Sequence, residues 1–124
     1  MEAIGGIRAE LEWFREQGRP ILGICAGMHA MCDHSEEGDC DGLGWFHGNV
    51  IRLAEPIPRQ GWMNTSAGCM YFSHSYGIEW PRHEFLHGFA KDNLKGVQYH
   101  PEKSQADGLK ALKDFLEHFP PWTP

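Results

Sequence analysis

The sequence predicts an α/β domain, and three observations carry that reading. Pro20-Ile-Leu-Gly-Ile24 is a short apolar run without alternation, the pattern of a parallel strand covered on both faces. An amphipathic helix precedes it over residues 2–17, where Ile4, Ile7, Leu11 and Phe14 recur at spacings of three and four. A helix is expected directly after the run, over 26–32, and another near the end of the chain, over 104–119.

The remaining elements follow in order. Gly18 is placed to stop the first helix. The acidic stretch from Ser35 to Asp41 reads as a solvent-facing loop. "LGWFHGNVIRL", from Leu43 to Leu53, suggests two short strands broken near Gly48, and the prolines of Glu55–Gly61 mark a loop. Residues 70–76 and 95–100 are strand candidates, rich in aromatic and β-branched side chains. The last helix would turn Leu109, Leu112, Phe115, Leu116 and Phe119 inward, with Ser104 and Asp107 as early caps. The terminal "PPWTP" reads as an irregular tail. Trp13 and Trp45 read as core or interface filler, and His83, His87 and His118 as solvated. No internal repeat or low-complexity segment is present, so residues 1–124 are expected to form one domain with a modest core.

Composition excludes several function classes. Eleven Lys and Arg against seventeen Asp and Glu give a net charge of −6, with no basic stripe to neutralise phosphates. No apolar run is long enough for a membrane-spanning helix, and no basic-then-apolar leader opens the sequence. A cytoplasmic location is expected, with the four cysteines reduced. Cys32, His34, Cys40 and His47 offer metal-ligand atoms within sixteen residues, but their spacing is not that of a zinc site. No metal or other cofactor is implied.

Chemistry concentrates at two short motifs. Gly23-Ile-Cys25-Ala-Gly27 is the cysteine form of the G-x-S-x-G nucleophile elbow, in which a tight strand-to-helix turn lifts the central side chain clear of the sheet. A sulfur at a helix N-terminus is expected to favour the thiolate, and the N–H of Ala26 would point where an oxyanion forms. His100-Pro101-Glu102 supplies the partners such a nucleophile needs. In an extended segment Glu102 would reach the His100 ring and leave its other nitrogen facing Cys25.

These segments resemble a known family. "PILGICAGMHAM" is similar to the nucleophile segment of class I, triad-type glutamine amidotransferases, and "GVQYHPEKS" to their His-x-Glu segment. "GLGWFHGNVIRL", "GWMNT" and "YFSHSYG" follow in the order seen in family members that serve histidine biosynthesis. The resemblance implies a flavodoxin-like sheet flanked by helices, and hydrolysis of glutamine to glutamate and ammonia, the ammonia passing to a synthase partner. Cys25 then resembles the nucleophile, His100 the proton carrier and Glu102 the orienting carboxylate. Gly27, His74, Ser75 and Tyr76 resemble the glutamine-binding segment, and Trp62 and Lys103 positions that face the synthase. His29 stands where the family carries a substrate-contacting glutamine.

The resemblance begins at the helix before the nucleophile strand. A truncated family domain is therefore expected, lacking the first βαβ portion and the glycine-rich loop that supplies a second oxyanion N–H. Its strands would present a free edge, which a homo-oligomer would cover. Two readings stay open: a glutamine-hydrolysing enzyme, or a catalytically impaired relic that acts as a binding module.

Overall fold

The computed structural model describes residues 6–80 and 84–118, so Ile4, His83, Phe119 and the terminal tail lie outside the described residues. Helix α1 spans Arg8–Glu16. It ends at Gly18, whose φ of +73° lets its N–H reach the Arg15 carbonyl while the Arg19 N–H reaches that of Phe14. A side chain at that left-handed position would be penalised, so the glycine is required by geometry. Leu11 packs against Met31, Leu43, Trp45 and Leu94, whereas Ile7 and Trp13 stay about half exposed. Trp45 is thus core and Trp13 is not, its ring instead lying under the Arg19 guanidinium.

Strand β1 (Ile21–Ile24) leads into helix α2 (Ala26–Ala30), which is shorter than the periodicity suggests. The chain leaves the helix at Met31, and Cys32–Ser35 forms strand β2. The cause is competition for carbonyls. Those of Ala30, Met31 and Cys32 accept amides from Leu43, Trp45 and Gly44 instead of amides one turn further along a helix. The acidic stretch is likewise not a plain loop: Ser35 is buried, and β2 turns back through residues 36–39 into β3 (Cys40–Asp41).

Strand β4 (Phe46–Arg52) runs unbroken through Gly48, because β2 pairs along one edge and β7 (Tyr76–Trp80) along the other. With β8 (Glu84–Leu86) they form a mixed sheet in the order β3-β2-β4-β7-β8. The proline loop ends three residues earlier than expected. Arg59–Thr65 is strand β5, paired with β6 (Gly68–His74) in register from Arg59 opposite His74 to Thr65 opposite Gly68. The single strand expected over 70–76 is therefore divided at Ser75 between two sheets. A third sheet has the order β1-β10-β9, with β10 (Leu94–Val97) parallel to β1 and antiparallel to β9 (Gly88–Lys91).

A 3₁₀ turn, Pro101–Lys103, leads into helix α3 (Gln105–His118). This helix seats itself on Gly108 and Phe115, with Ala111 against the Met70, Phe72, Val97 and Tyr99 cluster. Leu109 and Leu116 are 69% and 70% exposed, so the inward face is narrower than the leucine pattern implies. Ser104 and Asp107 do not cap the helix with their side chains. The Ser104 hydroxyl accepts the Tyr71 N–H at 2.9 Å, and the Asp107 carboxylate accepts that of Cys69 at 2.8 Å. Both bind the start of α3 to β6. Helices thus flank mixed sheets in an α/β architecture, and among the described residues no helix is long and apolar enough to cross a membrane.

Candidate active site

Cys25 occupies the single residue between β1 and α2, with φ 50° and ψ −107°. A side-chain-bearing residue rarely takes a positive φ, so the surroundings must impose it. They do so from both sides: the Cys25 N–H donates to the Val97 carbonyl at 2.7 Å, and its own carbonyl accepts the His29 N–H at 3.1 Å. The two bracketing glycines have different tasks. A Cβ on Gly23 would stand 2.8 Å from the backbone of Gly27 and Met28, so β1 and α2 cross too closely for any side chain. A Cβ on Gly27 would meet nothing within 4 Å. The first glycine lets the elbow close, and the second leaves an open approach beside it.

Around the sulfur, burial dominates. It pushes the Cys25 thiol above its ordinary 9.0, opposed by hydrogen bonds from the Ala26 N–H and the Gln98 side chain. The negative charges of Glu37 and Glu102 add to the upward push. The expected thiolate-favouring helix terminus is thus outweighed, since α2 has only five residues and the site is half-buried. The Ala26 amide does lie on the sulfur as the elbow geometry requires.

Three residues past β10, His100 holds an extended backbone, φ −101° and ψ 94°. Its Nδ1 lies 2.7 Å from Glu102 Oε1. Glu102 reaches the ring from within the 3₁₀ turn rather than along an extended segment, because Pro101 starts that turn. Nδ1–H donating to a carboxylate leaves Nε2 as the basic nitrogen. The main chain of His100 is held as firmly as its ring. Its N–H donates to the Tyr71 carbonyl, the Tyr71 N–H donates to Ser104 Oγ, and that hydroxyl donates to the His100 carbonyl at 2.6 Å.

The other sequence-derived candidates fall into two groups. His74 ends β6 and donates Nδ1–H to the Tyr76 carbonyl at 2.8 Å, while burial and the nearby His87, Arg59 and His100 lower its proton affinity. Tyr76 packs on the Met28, Cys32, Val50 and Ile78 cluster, and the Ser75 carbonyl accepts the Leu53 N–H. His29 is 7% exposed, feels the charge of His74, and places Nε2 2.7 Å from Gln98 Oε1. His29 is thus linked to Cys25 through Gln98, and His74 lies near both His29 and His100. Lys103 ends the 3₁₀ turn next to His100, its N–H donating to the His100 carbonyl at 3.0 Å. Trp62 stands half exposed on β5, edge-on to Tyr71, beside an open groove of about 490 Å³ at the start of α3.

The metal-ligand candidates are engaged elsewhere. Cys32 is fully buried with its thiol pushed up to about 12, His34 pairs with Asp39 and Asp41, and His47 lies against Asp33. All four cysteines are free. The residue that sequence reasoning missed is Gln98, whose Nε2 donates to Cys25 Sγ at 3.4 Å. Its only signal is a carboxamide set in an otherwise apolar strand end, two residues before His100.

Comparison with known proteins identifies the family of the chain. Residues 2–119 match the family of class-I glutamine amidotransferases. Imidazole glycerol phosphate synthase subunit HisH of Zymomonas mobilis is 39% identical, over 88% of this chain and 62% of that protein. The same subunit from Gloeobacter violaceus is 38% identical over 81% and 58%, and that from Methanosarcina mazei 32% identical over 94% and 72%. The chain thus spans about three-fifths of the length of the first two relatives. A solved glutamine amidotransferase superposes with a TM-score of 0.65 at 17% identity, covering 90% of this chain and 67% of its own, a likeness of fold alone.

Proposed function

The chain belongs to the class-I glutamine amidotransferase family, and on that premise we propose that it hydrolyses glutamine to glutamate and ammonia. One observation carries the reading. The strained elbow at Cys25 and the His100–Glu102 pair both follow the C-terminal ends of neighbouring parallel strands, β1 and β10, where open α/β sheets place their sites.

In the proposed reaction His100 Nε2 takes the Cys25 proton, and the thiolate attacks the side-chain amide carbon of glutamine. The carbonyl oxygen becomes an oxyanion facing the Ala26 N–H. Collapse breaks the C–N bond, and His100 returns its proton to the leaving nitrogen as ammonia departs. A water deprotonated by His100 then attacks the thioester, the C–S bond breaks as His100 returns that proton to the Cys25 sulfur, and glutamate leaves. Glu102 holds the imidazole in the required tautomer throughout. Two easier steps replace one difficult attack on an amide. His74, Ser75 and Tyr76 are proposed to line the glutamine site beside the open face of Gly27.

Relatives of this chain are subunits of imidazole glycerol phosphate synthase. The proposed receiver of ammonia is a synthase of that kind, docking on the face of Trp62 and Lys103. Among the described residues β1 pairs only with β10, and we propose that a second copy of the chain covers the other edge; sedimentation at micromolar concentration reads this directly. Four free thiols fit a reducing compartment such as the cytoplasm. Ammonia release from glutamine, followed in a coupled assay, tests the central reading. It is expected with the parent chain and absent in Cys25→Ala. Neither turnover nor thiol-directed labelling of Cys25 would leave a non-catalytic binding module.

A further inference from the structure

Gln98 and His29 stand behind Cys25 in a line that the proposed reaction does not use. Gln98 is fully buried and His29 nearly so. An unpaired polar group at such depth costs much more than a paired one returns, so both contacts matter. Gln98 Nε2 lies 3.4 Å from Cys25 Sγ, and Oε1 of the same amide lies 2.7 Å from His29 Nε2. With the amide N–H on the sulfur, its oxygen faces His29, and His29 must then carry its hydrogen on Nε2. The reverse arrangement, amide rotated and His29 hydrogen on the other nitrogen, would aim an oxygen at the sulfur. That oxygen would accept from a thiol and repel a thiolate.

We infer that His29 and Gln98 are positioning residues: His29 donates to Gln98, and thereby locks the amide with its N–H on the sulfur of Cys25. The inference rests on the reading of Cys25 as the nucleophile, and it moves His29 from substrate recognition to the support of that nucleophile. The charged surroundings explain why such support is needed. Glu37, from the turn after β2, and Glu102, from the 3₁₀ turn, both act against an anion at the sulfur. Among the described residues, the N–H groups of Ala26 and Gln98 act for it. His29 is faced by His74 of β6 and by Glu37, and burial keeps its ring neutral, as a fixed tautomer requires.

The test is the rate of Cys25 alkylation by iodoacetamide as a function of pH, resolved by mass spectrometry from Cys32, Cys40 and Cys69. Gln98→Ala is expected to slow alkylation at pH 8 by about tenfold, as loss of a hydrogen bond to an anion predicts. His29→Ala should slow it by about threefold, through a loosened amide rather than a lost one. His29→Gln can still donate to Gln98 Oε1 and should restore most of the rate. The double alanine variant should react no more slowly than Gln98→Ala alone, because one residue acts through the other. An unmoved profile in His29→Ala, or slowing that multiplies in the double variant, overturns the inference. Should Gln98→Ala not fold, Gln98→Glu keeps the volume and sets an acceptor against the sulfur; an alkylation profile equal to the parent's also overturns it. Alkylation needs no glutamine. A parent without ammonia release but with these shifts rejects the glutaminase reading alone, and ammonia release with unmoved profiles rejects this inference alone.

Discussion

The site has a buried floor and an open rim, and each contains a histidine with a side-chain partner at 2.7 Å. On the floor His29 meets the carboxamide of Gln98, both sealed from water. At the rim His100 meets the carboxylate of Glu102, with side chains 21% and 46% exposed. Equal distances here describe different interactions. A sealed imidazole opposite a neutral partner stays uncharged and serves as a fixed donor. A solvated imidazole opposite an acid can gain and lose a proton within a catalytic cycle. Histidine chemistry is thus set by what stands around the ring, and on the proposed reading His29 is a strut and His100 a proton carrier.

Breaking the rim should cost activity, and breaking the floor should cost stability. The largest effect is expected for His100→Ala, which removes the proton carrier and should lower glutamine turnover by about 10³–10⁴-fold with little change in melting temperature. Glu102→Gln keeps the shape but not the charge, and a loss near 10²-fold in kcat is expected. Gln98→Ala leaves the His29 donor unpaired in the interior, so denaturant titration should show a loss of about 2 kcal/mol. Acid sharpens the contrast further. Burial lowers the proton affinity of His29 and His74 below the ordinary 6.5, so the unfolded chain binds more protons in that window. Their contribution is complete above pH 6.5 and lost as pH falls toward the folded values, so melting temperature should drop on acidification and drop less in His29→Gln. The smallest change is expected for Glu102→Ala in stability, under about 0.5 kcal/mol, because the pair faces water. A rim variant that unfolds the chain, or a floor variant that leaves stability untouched, would erase the distinction.

The elbow could be read from sequence because its cause is local. Gly23, Cys25 and Gly27 lie within one turn, and the need for close approach at Gly23 is written in the residue itself. Strands β1 and β10 and helix α3 were likewise visible as apolar runs and helical spacing. Strands β2, β5, β8 and β9 were not, since "CDHS", "RQGWMNT", "EFL" and "GFAK" carry no alternation of their own. Their hydrogen bonds come from partners elsewhere in the chain, and pairing overrides local preference. The outward turn of Leu109 and Leu116 was hidden for a similar reason. Leucines at helical spacing define a stripe, but the neighbouring sheet decides which flank of that stripe it covers. The link from His29 through Gln98 to Cys25 spans residues 73 positions apart, so nothing in any window foretold it.

Ser104 has a mechanical consequence. Its hydroxyl, the Tyr71 amide and the two main-chain groups of His100 form a closed ring of three hydrogen bonds. Hairpin and imidazole therefore share one pivot, and a load applied to the half-exposed Trp62, cross-strand neighbour of Tyr71, must either swing His100 with it or snap a link of that ring.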